Sequence, residues 1–228
     1  MNDQTRLLNI FRWLISILTP FVILMIVVRL LITPLFARAA YNLPGFPDDP
    51  FGFTLQDRLR WSEPSIRYLV NNEDIDYLES LSFDDGTPIF NARELSHMAD
   101  VKSVVTGMRV ALALCVITLL ICAGYILKNG RRDLIIKAFN AGGWGVVGLI
   151  AAILLFVAIS FNQLFTWFHQ LFFTEGTWQF FTSDTLIRLF PMRFWRDAFI
   201  FVGVLSLMLG GGLILITRKH LDLKIVKS

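Results

Sequence analysis

Charged residues are scarce in this chain. Asp, Glu, Lys and Arg make up 17% of its 228 residues, whereas hydrophobic residues make up 55% and aromatic residues 14%. Soluble domains typically carry about 25% charged residues, and disordered chains are poor in apolar residues. The composition therefore excludes a disordered protein and a nucleic-acid-binding domain, and it predicts a polytopic membrane protein.

Cysteine is also rare. Cys115 and Cys122 are the two cysteines of the chain, and they do not form a Cys-x-x-Cys motif. Both lie in an apolar run, where small hydrophobic residues are expected to pack inside a membrane helix. A disulfide-stapled secreted module is therefore excluded, and a cysteine nucleophile is excluded by placement.

Four apolar runs are long enough to cross a bilayer, which takes about 20 helical residues. They are residues 13–35, 104–127, 141–161 and 198–217. The predicted fold class is an all-α membrane protein, with four transmembrane helices and a small extracytoplasmic cap. We divide the chain into five segments. The N-terminal tail and the first helix take residues 1–35, and the cap takes 36–103. The second and third helices with their short loop take 104–161, the aromatic-rich outer loop takes 162–197, and the fourth helix with its basic tail takes 198–228.

Basic residues are concentrated in three segments: the N-terminus, the loop between the second and third spans, and the C-terminal tail. Together these hold ten basic and three acidic residues, whereas the rest of the chain holds eleven basic and fifteen acidic residues. Because basic residues collect on the cytoplasmic side of short loops, both termini are predicted in the cytoplasm. The cap and the aromatic loop are then predicted on the outer face of the cytoplasmic membrane.

Residues 37–39, Ala-Arg-Ala, fit the pattern of a signal-peptide cleavage site. The preceding apolar run is longer than the roughly 7–15 residues of a signal-peptide core. We therefore favour an uncleaved first span. Glycines in the later spans, at 142, 143, 145, 148 and 210–212, are expected to allow close helix packing.

The predicted cap contains local folding signals. Thr54 and Asp57 resemble a helix start, and residues 83–87 resemble a tight turn between two short extended pieces. Asn91 followed by Glu94 resembles a capping box, which would begin a helix that continues into the second span.

The predicted outer loop is dominated by aromatic residues. Residues 161–195 contain nine Phe and three Trp. Tryptophan favours the headgroup level of a membrane, so an interfacial belt is one interpretation. An amphipathic, partly re-entrant segment that lines a lipid-accessible cavity is the other, and composition alone does not decide between them.

Two histidines, His97 and His169, lie close to the predicted outer membrane surface, whereas His220 lies in the basic tail. Imidazole suits general acid–base chemistry because its ordinary pKa, about 6.5, is close to ambient pH. Taken singly, each histidine is more often structural. Together with one acid they could also hold zinc, since Glu94, His97 and Asp100 share a predicted helix face.

The metal and serine alternatives have weak motifs. The sequence has no His-Glu-x-x-His motif and no second Glu-x-x-His. Ser96, Ser103 and Ser183 do not lie in a Gly-x-Ser-x-Gly elbow. What remains is direct acyl transfer between two parts of one bound substrate, assisted by two imidazoles and without a covalent enzyme intermediate.

Two blocks of sequence resemble the signature of a bacterial integral-membrane family that includes the lipoprotein intramolecular transacylase. The first block is FNARELSHMADVK at residues 90–102. The second begins with FHQLFF at 168–173 and continues with Trp178, residues 184–187, 190–191 and 194–195. The order of the two blocks and the four-span layout also match.

The resemblance implies transfer of the sn-2 acyl chain of a diacylglyceryl-cysteine lipoprotein to the α-amino group of that cysteine, with membrane lipid around the site and no cofactor or metal. It implies that His97 and His169 are the catalytic residues. We expect His97 to be the base, oriented by Glu94 or Asp100, and His169 to act on the carbonyl or the leaving oxygen; the reverse also fits. A metal-dependent hydrolase and a non-catalytic lipid- or partner-binding protein are the alternatives.

Further residues are expected around this pair. The predicted substrate-lining residues are Phe168, Phe172, Phe173 and Trp178. Arg93, Arg188 and Arg193 are candidate oxyanion donors. Headgroup contact, or an ion pair with Asp100 or Asp184, is the favoured alternative for these arginines.

Overall fold

The computed structural model describes residues 3–225, with side chains up to residue 220, and its regular elements are helices. The helices are α1 (Asp3–Leu31), α2 (Pro34–Tyr41), α3 (Leu55–Tyr68), α4 (Asp76–Glu79), α5 (Ala92–Lys128), α6 (Arg132–Phe172), α7 (Thr185–Leu189) and α8 (Met192–Ile225). By length and composition, α1, α5, α6 and α8 are able to cross a membrane. Of the predicted basic tail, Lys227 and the side chains of Asp222 and Lys224 lie outside the described part.

The first span ends earlier than the hydrophobic pattern predicts. Helix α1 stops at Leu31, before the expected end at residue 35. The next helix begins at Pro34, whose missing N–H suits the first helical position, and the Thr33 hydroxyl accepts from the N–H of Phe36. The apolar residues after Leu31 therefore form a separate short helix.

The two predicted cap motifs are confirmed. The Thr54 hydroxyl accepts from the N–H of Asp57, and the Asp57 carboxylate accepts from the N–H of Thr54. In the same way, the Asn91 side-chain oxygen accepts from the N–H of Glu94 at 3.1 Å, and Glu94 accepts from the N–H of Asn91 at 2.8 Å. Each pair satisfies backbone donors that a helix start leaves free.

The tight turn at residues 83–87 is also present. The N–H of Phe83 donates to the carbonyl of Thr87 at 2.8 Å, and Ser82 and Pro88 form a single antiparallel bridge. Gly86 adopts a φ of 85°, a backbone conformation that residues with a Cβ rarely adopt.

The chain folds into two compact units. One unit comprises Leu30–Met108 and Phe156–Ile200. Its largest cluster of buried residues combines α3, α4, α5 and α7: Trp61, Tyr68, Leu78, Ile89, Phe90, Met98, Leu186 and Leu189. Burial raises the pKa of Tyr41 to about 12, so its hydroxyl keeps its proton and donates to the carbonyl of Leu189 at 2.9 Å.

Helix α6 is interrupted in this unit. Ser160 has an extended backbone, with φ −158° and ψ 89°, and its hydroxyl accepts from the N–H of Gln163. The hydroxyl thereby caps a second limb that runs to Phe172 and carries His169.

The other unit comprises Met1–Arg29, Arg109–Leu155 and Phe201–Ser228. Helix α5 ends here in a Schellman motif, in which Gly130, at φ 69°, donates to the carbonyl of Leu127 and Arg131 donates to that of Ile126. The motif reverses the chain into α6 within a few residues.

Close approach of helices explains part of the glycine pattern in this unit. A Cβ built on Gly142 would lie 2.6 Å from the Cβ of Thr19, and one on Gly143 would lie 3.0 Å from the carbonyl oxygen of Gly210. A Cβ on Gly148 would meet nothing within 4 Å. The sequence expectation of glycine-mediated packing therefore holds at some positions and not at others.

This difference supplies a matched pair of variants. We expect Gly142→Ala to lower the free energy of unfolding by about 1–3 kcal/mol through overpacking against Thr19. Gly148→Ala, on the same helix, should leave stability equal or higher because alanine is the better helix former. Thermal unfolding of the two variants in detergent micelles makes the comparison, and equal melting temperatures would contradict the packing role of Gly142.

Candidate active site

The two histidines selected from the sequence lie side by side. His97 is on the second turn of α5, and His169 is on the second limb of α6. Their ring centroids are 6.2 Å apart with the planes 19° from parallel, and each residue is 8% exposed. Two segments separated by more than 70 residues of sequence thus bring two imidazoles to one buried position.

Aromatic rings surround this pair. Phe173 contacts both imidazoles, with centroid distances of 4.9 Å to His97 and 5.5 Å to His169. Trp178 lies 4.9 Å from His169, and Phe180 lies 5.3 Å from His97. Of the predicted lining residues, Phe168, Phe173 and Trp178 contact a histidine directly.

Phe172 is placed differently. It packs on Phe168 and Phe173 and remains 45% exposed. The sequence reasoning also missed Phe165, whose ring centroid lies 4.1 Å from that of His169. Phe165 precedes His169 by one helical turn, so their i, i+4 spacing is the signal that was available.

The aromatic segment combines features of both interpretations. Trp167 is 50% exposed and Phe181 is 67% exposed, as a belt in contact with lipid would be. Phe173, Trp178 and Phe180 instead enclose the histidines. One stretch of chain therefore supplies both an outward-facing set and a set that lines the site.

The two imidazoles have different hydrogen bonds. Nδ1 of His169 lies 2.8 Å from the carbonyl oxygen of Phe165. A carbonyl oxygen accepts only, so this Nδ1 carries the proton and Nε2 of the neutral ring holds the free lone pair. Nδ1 of His97 is buried and finds no hydrogen-bond partner among the described residues.

Neither Glu94 nor Asp100 therefore accepts a hydrogen bond from Nδ1 of His97. The Glu94 carboxylate is 1% exposed and already accepts from the N–H groups of Asn91 and, at 2.7 Å, Leu186. Asp100 is exposed. Glu94 instead ties the first turn of α5, which carries His97, to the start of α7.

A second polar bridge lies beside this one. Asp184 accepts from Nη2 of Arg93 at 2.9 Å, from the Asn91 amide at 3.2 Å and from the N–H of Phe181 at 2.8 Å. The favoured ion-pair alternative for Arg93 is thus confirmed. Asp184 thereby joins the turn at residues 181–184 to the start of α5.

The other two candidate arginines are also in ion pairs. Arg188 donates to Asp49 through Nε and Nη2, and its guanidinium lies 3.4 Å from the Phe53 ring centroid. Arg193 pairs with Asp197 at 2.7 Å. The expected partners, Asp100 and Asp184, are wrong for these two residues. The i, i+4 spacing of Arg193 and Asp197 is visible in sequence, whereas the loop residue Asp49 gives no such signal.

A metal site was the first competitor to acid–base chemistry. In the described part of the chain, no three side chains of His, Cys, Asp or Glu converge in a way that would hold a metal ion. The expected triad of Glu94, His97 and Asp100 is not such a group, because Glu94 is engaged by backbone N–H groups and Asp100 is exposed.

Four helices able to span a membrane and a buried pair of imidazoles define a polytopic membrane protein with a paired-histidine site. The chain belongs to the family of the lipoprotein intramolecular transacylase, Lit, which its sequence matches over residues 13–195. Membership makes it a membrane-integral acyltransferase that acts on lipoproteins, and it confirms the family and the enzyme class expected from the sequence.

Similar proteins cover most of the chain. An uncharacterized protein of Aquifex aeolicus (strain VF5) is 26% identical over 201 residues, which are 86% of this chain and 88% of that protein. The structure of the membrane integral lipoprotein intramolecular transacylase Lit from Bacillus cereus matches with a TM-score of 0.81 at 20% identity, over 98% of this chain and 100% of that one. The likeness confirms the all-α, four-helix fold class.

Two further structures of the Bacillus cereus protein carry a substitution of one histidine, to arginine in one and to alanine in the other. They match with TM-scores of 0.76 at 18% identity, over 99% and 98% of this chain and 97% and 98% of those chains.

Glu94 supplies a test of how the site is held together. We expect Glu94→Ala to reduce both thermal stability and activity, because it leaves two backbone N–H groups without acceptors at about 1–3 kcal/mol each. Asp100→Ala, on the same helix, should change neither. Melting curves and activity of the two variants decide the matter, and a fully stable Glu94→Ala protein would disprove the bridging role.

The Asp49–Arg188 pair predicts a pH dependence. The side chains are 1% and 14% exposed. Burial opposes ionisation of Asp49, but hydrogen bonds from Arg188 and from the N–H of Phe53 hold its pKa below the ordinary value of 3.8. The stabilisation is therefore present above the ordinary pKa and is lost as the pH falls through the lower pKa of the folded protein.

We expect Asp49→Asn to destabilise the protein at pH 7 by about 3 kcal/mol, because it leaves a guanidinium without its counter-charge. The variant should also lose less stability than the parent on acidification. Melting temperatures at pH 7 and pH 3 measure both effects. Glu63→Gln, which removes the exposed ion pair with Arg67, is the control and should behave like the parent.

Proposed function

We propose that this protein transfers the sn-2 acyl chain of a diacylglyceryl-cysteine lipoprotein to the α-amino group of the same cysteine. The product is an N-acylated lipoprotein in its lyso form. The observation that carries this proposal is the pair of buried imidazoles 6.2 Å apart in a chain of the Lit family. The chemistry needs a base for the amine and an acid for the glyceryl oxygen, and two histidines supply both.

The hydrogen bonding of His169 favours it as the base. Its Nδ1–H is engaged by the Phe165 carbonyl, which leaves Nε2 as the acceptor for a proton of the attacking amine. His97 then supplies a proton to the departing glyceryl oxygen. This assignment reverses the one first expected from the sequence, and its physical reason is the tautomer that the carbonyl selects.

The aromatic residues contribute positioning and exclusion of water. The amine and the ester belong to one molecule, so most of the catalytic work is to hold them in contact. Phe173, Trp178 and Phe180 close around the imidazoles. A dry pocket of this kind keeps water from competing with the amine for the ester carbonyl.

The site acts at the outer face of the bacterial cytoplasmic membrane in this proposal, with both termini in the cytoplasm. The support is the charge distribution: basic residues dominate the termini and the loop between α5 and α6, whereas acidic residues dominate the rest. The acyl chains of substrate and product remain anchored in lipid there.

The test must determine whether the acyl chain is bonded to the glyceryl oxygen or to the amino nitrogen. Substrate and product have equal mass, because the chain moves within one molecule. An amine-reactive label adds mass to the substrate alone, and mild alkali removes two acyl chains from the substrate but one from the product. Mass spectrometry of a lipoprotein's N-terminal peptide, from cells with and without this protein, should show an unlabelled form that keeps one acyl chain after alkali only when the protein is present.

Each catalytic histidine should be indispensable. We expect His97→Ala and His169→Ala to lower the rate by at least about 100-fold, which is the usual scale of general acid–base catalysis. Both variants should still insert and melt near the parent temperature. His220→Ala removes the remaining histidine and should keep full activity.

Two results would overturn the proposed function. A peptide that keeps a free amino group in the presence of the protein rules out N-acylation. A peptide that loses the mass of one fatty acid identifies hydrolysis instead of transfer.

A further inference from the structure

Two buried nitrogen atoms of the site lack hydrogen-bond partners among the described residues: Nδ1 of His97 and Nε1 of Trp178. The indole N–H can only donate. Leaving a buried donor unpaired costs about 1–3 kcal/mol, and native proteins retain few such groups. An unpaired donor 4.9 Å, ring to ring, from a catalytic imidazole therefore calls for an acceptor that arrives with the substrate.

The reaction creates such an acceptor. Attack on an ester places negative charge on the carbonyl oxygen, and donors aimed at that oxygen are usually the largest single contribution to catalysis. The arginines that sequence analysis offered for this role are each committed to a carboxylate. Arg93 donates to Asp184, Arg188 donates to Asp49, and Arg193 donates to Asp197.

We propose that Trp178 is a catalytic residue that donates its indole N–H to the carbonyl oxygen of the acyl group in transfer. This inference rests on the proposed function and adds a third group to the two histidines. In the earlier sequence interpretation, Trp178 was a lining residue only.

The amine nitrogen forms a bond to the carbonyl carbon and gives one proton to His169, while the π electrons of the carbonyl move to its oxygen. That oxyanion accepts the hydrogen bond from Trp178. When the carbonyl re-forms, the bond to the glyceryl oxygen breaks. Through His97 that oxygen receives the proton that His169 took from the amine, so it becomes a hydroxyl and both imidazoles end neutral.

A neutral donor suits this pocket. Phe173 and Phe180 pack directly against His97, so a guanidinium placed there would lose its hydration without a carboxylate to replace it. An indole N–H carries no net charge, and its ring extends the aromatic wall. Its hydrogen bond gains strength in the low dielectric at the moment the oxygen becomes negative.

The decisive variant is Trp178→Phe, which removes the N–H and keeps an aromatic ring. We expect kcat to fall by about 100- to 1,000-fold with little change in KM, because the lost hydrogen bond forms mainly in the transition state. Trp167→Phe is the matched control: Trp167 is half exposed and packs on Phe156, and the kcat of this variant should equal that of the parent.

A second substitution separates the N–H from the shape of the ring. Benzothienylalanine at position 178 replaces the N–H by sulfur and preserves the bicyclic ring. We expect this protein to melt at the parent temperature and to show the same loss of kcat as Trp178→Phe. It also decides the question if Trp178→Phe fails to fold.

Parent-like kcat in the benzothienylalanine protein would overturn the inference, and so would an effect confined to KM. Both outcomes leave the proposed function intact, since the parent protein still forms the N-acyl product. If the parent itself forms no N-acyl product, the proposed function and this inference fail together.

Discussion

A single buried carboxylate fixes the helical turn that carries His97. Glu94 is inaccessible to solvent and accepts hydrogen bonds from the N–H groups of Asn91 and Leu186, which are far apart in sequence. It thereby completes the cap of α5 and fixes the start of α7. Because His97 follows Glu94 by one helical turn, the bond that starts the helix also sets the position of an imidazole.

The polar groups of this unit separate into two functions. Carboxylates and arginines pair with each other or with backbone groups and so determine the shape of the loops, as Asp184 with Arg93 and Asp49 with Arg188 do. The site itself has aromatic walls, with two imidazoles and one indole as its polar groups. Charged side chains lie outside the pocket. The negative charge that the proposed reaction creates therefore forms in a low dielectric, where its interaction with a hydrogen-bond donor is stronger than in water.

The sequence predicted the elements that depend on local chemistry. The four long apolar runs and the caps at Thr54 and Asn91 are written in neighbouring residues, and the structure has them. The choice of His97 and His169 came from a resemblance and from their similar predicted depth. Neither segment alone showed that the two imidazoles would lie next to each other.

The errors concern long-range partners and interruptions of helices. No local pattern connects Asp49 with Arg188, since a loop residue has no fixed periodicity relative to a distant helix. The end of α1 at Leu31 was hidden because hydropathy stays high through residue 36, while the Thr33–Pro34 cap was the overlooked signal. The second hydrogen bond of Glu94 was also not visible in the sequence, because its donor, the N–H of Leu186, is 92 residues away.

The break at Ser160 separates two helical registers within α6. Because the backbone of Ser160 is extended, the rotation of the limb that bears His169 about its own axis does not follow from the helical periodicity of the residues before the break. The direction in which the His169 ring points is therefore set by the backbone angles at residue 160 and by the packing of the second limb, and not by the helical phase of the residues before the break.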